Sequence, residues 1–170
     1  MDDSSAGFEG LWRQLSRAGR AGWLTAAYAR WFAFANLWPT RPSEEVVELD
    51  GRWIDGLEAF FCAIGESVNG AAGYFGKNLN GFADCAAGGF GVTPPWILRW
   101  HYSELARKAL GYEETLRHAR EEYEAGDFPD EEARLAAKAR LENLLALRGP
   151  TLFDSIVSIL QERGVTVELL

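Results

Sequence analysis

From Val46 onward, apolar runs short enough to be strands are separated by stretches much too long for hairpin turns, and those stretches carry helical periodicity. Trp96 to Trp100 is one such run, bounded in front by Pro94-Pro95, and Val165 to Leu170 is another, entered after Gly164. The order reads strand, helix, helix, strand, a long helical section, then helix and strand. Strands joined by helical crossovers pair in parallel, with helices covering the sheet. The expected fold is therefore α/β, a small three-stranded parallel sheet covered by helices, with a helical hairpin insertion and an N-terminal helical extension. At 170 residues the chain is long enough for one compact domain plus additions. Residues 1–44 are assigned to an amphipathic extension and linker, and 45–170 to the domain, including the insertion at about 103–149.

The helical signals are specific. Asp55-Gly56 opens a helix whose Leu57, Phe60, Phe61, Ile64 and Val68 form an apolar stripe, and Asn69-Gly70 stops it. After it comes the run Gly73 to Cys85, where Gly73 and Gly76 bracket Tyr74 and Phe75 and allow a sharp turn that presents an aromatic edge. Asn78 is placed to cap the helix that follows. Leu79, Phe82 and Ala86 recur at helical spacing on the buried stripe, whereas Asn80 and Asp84, four apart, share a different face and are expected in solvent.

That run resembles the barstar (barnase inhibitor) family, whose motif is met by Tyr74, Phe75, Gly76, Asn78, Leu79, Phe82, Asp84 and Cys85. The resemblance extends to Gly88, to Pro95 through Trp100, to a last helix and strand in Leu152 to Leu170, and to a first strand and turn in Val46 to Gly51. It implies a cytoplasmic bacterial ribonuclease inhibitor, an immunity protein or antitoxin, whose loop and helix plug the basic cleft of a cationic ribonuclease or nuclease toxin. Asp84 then takes the place of a substrate phosphate. Tyr74, Gly76 and Leu79 correspond to loop and helix contacts, Asn80 and Ala83 to two more, and Gly88 to a lip beside them. The chain departs from the family's type inhibitor in having Asn80 where that protein has a second aspartate and Ala83 where it has tryptophan. In the last helix Ile159 and Arg163 stand where acids are expected, leaving Glu162 as a substitute. The alternative reading is a non-inhibitory interaction module on the same scaffold, working through the N-terminal helix or the hairpin.

Two segments lie outside the motif. Arg17 and Arg20 precede an apolar, aromatic run from Ala21 to Trp38 that superficially resembles a signal peptide, but Arg30 interrupts it and it lies far from Met1. It reads better as an amphipathic helix with Trp23, Ala27, Trp31, Phe34 and Trp38 on one stripe, widened by Leu24, Tyr28 and Ala35 and closed by Pro39 and Pro42. Such an aromatic face packs on the main domain or serves a partner. In the insertion, Leu105 to Leu110, Tyr112 to Ala125 and Asp130 to Leu147 read as helices, the last two doubling back at Gly126-Asp127-Phe128-Pro129. Their charges, among them Glu113, Glu114, Glu121, Arg117 and Arg134, are expected to form modest pairs on solvated faces.

Other chemistries fare poorly. A net charge of −8 disfavours direct nucleic-acid binding, which needs clustered Lys and Arg, and suits a cationic protein partner. Cys62 and Cys85 are the only cysteines, without zinc-ligand spacing, and are expected to be reduced thiols. No metal, cofactor or membrane span is expected. His101 and His118 have no nucleophile setting, and Gly88-Gly89-Phe90-Gly91 lacks the Lys-Ser or Lys-Thr ending of a phosphate loop. Asp84 has Asn80, not a second acid, as its one-turn neighbour. The chain is therefore read as a binding protein and not an enzyme.

Overall fold

Alternation along the strands decides which side of the sheet stays dry. On β1 (Val46–Asp50) and β2 (Ile97–His101), Val47, Leu49, Leu98 and Trp100 are buried, while Glu48, Arg99 and His101 between them point to the other side. The computed structural model, which describes residues 7–34 and 42–170, pairs both strands in parallel and adds β3 (Thr166–Leu169) beside β2, giving the order β1-β2-β3. This is the expected α/β fold with a small three-stranded parallel sheet.

Among the described residues, helices cover only one face of that sheet, a departure from the simple expectation for parallel strands. The register places Glu48, Arg99 and Glu168 side by side across the open face. Arg99 bonds Glu168 at 2.7 Å and Glu48 at 2.9 Å, and His101 Nε2 lies 2.6 Å from Glu48. The His101 hydrogen bond, joined by Arg99, holds the Glu48 carboxyl below its usual range. A charged ladder thus keeps this side wet.

On the dry face, α2 (Leu57–Asn69) lies against β1 and α7 (Leu152–Glu162) against β3. The α2 stripe is as the periodicity predicts, with Leu57, Phe60, Phe61, Ile64 and Val68 all buried. Thr151 caps α7 in a reciprocal capping box with Asp154. The short α3 (Leu79–Ala86) packs on α7, and α1 (Arg17–Ala33) packs on α2.

The extension is joined to the core by contacts that sequence periodicity does not reveal. Trp12, in a 3₁₀ turn ahead of α1, is 1% exposed, and its indole donates to Glu66 of α2 at 2.9 Å. The other Glu66 oxygen accepts from the Gly10 amide at 2.7 Å. Arg20 is buried beneath, donating to the Trp12 carbonyl and pairing with Asp55. Trp12, Leu24, Ala27 and Trp31 belong to the same buried cluster as the sheet and α2.

Details of α1 differ from the expected stripe. The buried line is Arg20, Leu24, Ala27 and Trp31, and Trp23 is half-buried. Because the helix ends at Ala33, Phe34 leaves the helical period and is exposed, as are Tyr28 and Phe32 on the flank. Ala35, Trp38 and Pro39 lie outside the described residues.

In the insertion, α4 (Ser103–Ala109), α5 (Tyr112–Ala125) and α6 (Glu131–Leu145) follow the predicted segments. Gly126 adopts a left-handed conformation after α5, and Asp130 caps α6. Tyr123 meets Arg134 and Glu122 meets Arg140, so α5 and α6 run antiparallel as a hairpin.

Glu114 was expected on a solvated face; it is instead 7% exposed. Its carboxylate accepts from Arg117 at 2.6 Å, from the Leu57 amide at the start of α2 at 2.9 Å, and from Arg17 at the start of α1 at 3.2 Å. Burial alone pushes this carboxyl up, but the Arg117 hydrogen bond, the Leu57 amide and the two guanidinium charges outweigh it and hold the pKa below 4.5. A depressed carboxylate contributes stability that is complete above its unfolded value and is lost as pH falls through the lower folded value. Glu114→Gln is expected to cost about 1–3 kcal/mol in urea unfolding at neutral pH, and to flatten the loss of stability that the parent chain shows in acid below that range.

Candidate functional site

Only eight residues long, α3 owes its place to what surrounds it. Asn78 caps it, its side-chain oxygen accepting from the Gly81 amide at 2.7 Å, as the sequence predicts. Phe82, Cys85 and Ala86 are buried, and Leu79 is partly so. The Phe82 ring lies 5.3 Å from Phe60 and 6.0 Å from Phe75, which in turn meets Trp96 at 5.9 Å.

The loop ahead of α3 passes close beneath it. Gly76 has φ +91°, and a Cβ there would sit 2.7 Å from the Phe82 nitrogen and Cα. Gly76 is buried, so it acts through the path it allows the backbone. A residue the sequence reading used only as a helix stop holds this loop: the Asn69 amide donates to the Tyr74 carbonyl at 2.7 Å and to the Phe90 carbonyl at 3.1 Å. One side chain thereby joins the end of α2, the aromatic turn and the glycine-rich lip. Gly88, with φ +117°, lies in that lip directly after α3.

The remaining candidate residues lie along α3. Asn80 and Asp84 are exposed on one face, with Ala83 half-buried beside them. Among the described residues Asp84 has no ion pair or side-chain hydrogen bond. Tyr74 differs from expectation. Its ring is 5% exposed because α1 lies over it, with Tyr28 edge-on at 5.3 Å and Phe90 at 6.4 Å. Burial, with Cys85, Tyr28 and Asp84 nearby, pushes its hydroxyl up to about 12. Both thiols are free and buried, and burial pushes each up to about 12. On α7, Ile159 is half-buried against the core, Glu162 accepts from Ser158 at 3.0 Å, and Arg163 is exposed just beyond the helix.

Two recesses border α3. One, about 390 Å³, opens between α1 and α3 and is lined by Tyr28, Phe32, Tyr74, Lys77, Asp84 and Phe90 among others. The second, about 540 Å³, lies toward the hairpin between Asn78 and residues such as Glu122, Phe128 and Arg140. Asn78 lines both. A larger cavity of about 940 Å³ sits elsewhere, lined in part by Arg17, Glu114, Arg117 and Glu121. Those charges pair with one another and brace the helices, so its size carries no functional weight.

Neither histidine builds a catalytic arrangement: His101 faces Glu48 on the open sheet, and His118 Nδ1 lies 3.4 Å from Glu122 on α5. Among the described residues no group of His, Cys, Asp and Glu could hold a metal ion, and no helix is long and apolar enough to cross a membrane.

Residues 44–142 match the family model described as Barstar (barnase inhibitor). The chain belongs to the barstar family. The match runs from β1 through most of α6 and so contains the aromatic turn, α3 and the lip, while α1, α7 and β3 lie outside it. Comparison with curated proteins and with solved structures returns no match. The turn ahead of α3 has no room for a side chain at Gly76, whose φ of +91° also disfavours one. Gly76→Ala is expected to cost about 1–3 kcal/mol from backbone strain alone, with more from the contact beneath Phe82, read as a lowered midpoint in thermal or urea unfolding.

Proposed function

We propose that this barstar-family protein inhibits a cationic ribonuclease by seating the turn and α3 in the enzyme's basic cleft. The observation that carries this reading is the position of Asp84: exposed and unpaired in the middle of a helix whose opposite face is locked into the core. A ribonuclease must display Arg, Lys or His to hold a phosphodiester. A fixed carboxylate satisfies those charges and offers no bond to cleave.

Fixing matters as much as charge, because a helix already held in place loses little freedom on binding. The Asn78 cap, Asn69 and the Phe82 ring hold α3 before any partner arrives. A net charge of −8 supports steering toward a basic partner, an effect for which the barnase–barstar pair is the standard example. Leu79, Asn80, Ala83 and Gly88 supply contacts around the acid, while Tyr74 and Gly76 shape the surface from below. The role is that of an immunity protein or antitoxin protecting the bacterial cytoplasm.

Asp84→Ala is expected to weaken inhibition of the cognate ribonuclease by about thirtyfold or more, about 2 kcal/mol, with circular dichroism and unfolding midpoint unchanged. Undiminished inhibition would overturn the plug. Asn80 and Ala83 remove one acid and one large ring from the motif face, so barnase itself is expected to be inhibited only weakly; a titration giving nanomolar inhibition would contradict this.

A further inference from the structure

We propose that α1 is a second jaw of the inhibitory surface, and that Tyr28 and Phe32 with Asp84 form a seat for one arginine side chain of the partner. This rests on the reading that the partner is a cationic protein. Tyr28 and Phe32 are four residues apart on the flank of α1, their ring centroids 4.6 Å apart, and they are 38% and 54% exposed. They border the recess on one side, and Asp84 lies on the other.

The jaw is held rigidly. Trp31, one residue before Phe32, is buried and stacks on Phe90 at 5.6 Å, and Tyr28 meets the covered ring of Tyr74. Trp12, Arg17 and Arg20 fix the start of the same helix to α2 and α5. Exposed rings on so fixed a helix present faces of negative quadrupole beside a carboxylate that makes no ion pair among the described residues, a combination suited to a cation. The free chain already uses one of those faces so: the Lys77 ammonium lies over the Tyr28 ring at 4.8 Å.

Lys77 is exposed and flexible enough to leave. An incoming guanidinium displaces it, stacks on the rings as a planar group and donates to Asp84 through its fork, which an ammonium cannot do in the same way. Specificity follows from geometry: the partner must present an arginine of its basic cleft within reach of both Asp84 on α3 and the rings on α1.

The test uses the full chain and a capped arginine amide, N-acetyl-arginine methylamide, titrated by NMR against its neutral citrulline counterpart. Saturable shifts confined to Tyr28, Phe32, Gly81 and Asp84 with arginine and not with citrulline are expected. Phe32→Ala, at an exposed position, weakens binding about threefold or more, and Lys77→Met strengthens it about threefold by removing the internal competitor. Equal shifts with citrulline, shifts centred on the acidic hairpin, or no response to either variant overturn the seat. Ribonuclease assays separate this from the plug. Inhibition lost in Asp84→Ala and intact in Phe32→Ala leaves the plug standing and removes the jaw. Arginine-selective binding in a chain that inhibits no ribonuclease does the reverse.

Discussion

The contact on which the site depends is the packing of Phe82. An eight-residue helix has almost no stability of its own, so the orientation of Asp84 is inherited from a ring that sits among Phe60, Phe61 and Phe75. Phe60 passes the contact to Trp100 in the central strand, and Trp100 to Phe153 in α7. The acid offered to solvent and the middle of the sheet are thus joined through a continuous set of rings. Asn69 adds the polar counterpart, tying both segments that flank α3 to the end of α2.

Around this centre the chain adds two pieces, and both come to the same place. The N-terminal helix reaches the aromatic side of α3, and the hairpin reaches its amino end near Asn78. Glu114 is the junction that makes this possible, because its carboxylate gathers the starts of α1 and α2 onto α5. The single acid of the motif, with Asn80 and Ala83 beside it, is therefore not the whole of the surface. On the proposed inhibitory reading, neighbours drawn from distant parts of the sequence, Tyr28 and Phe32 among them, add ring area beside that face.

Much of this was legible locally. The α2 stripe, the Asn78 cap, the short apolar run from Trp96 to Trp100, and the turn from Gly126 to Pro129 each express a rule that acts over a few residues. The signals that failed are those that depend on distant partners. Glu114 carries the same local pattern as the exposed Glu113 and Glu121, and only the approach of Leu57 and Arg17 buries it. Trp12 gives no periodic signal, since its partner Glu66 is 54 positions away. Tyr74 lies in a turn expected to present an aromatic edge, and nothing near it in sequence announces the helix that covers it. Phe34 fits the α1 period, yet the helix stops one residue before it.

Cys85 directly follows Asp84 in the chain, yet its thiol is turned into the core and, like that of Cys62, is held far from ionisation. Among the described residues, the exposed side of α3 consequently carries no thiol. The association proposed for that face would therefore form no disulfide with a partner, and a change in the redox state of its surroundings would leave it unaltered.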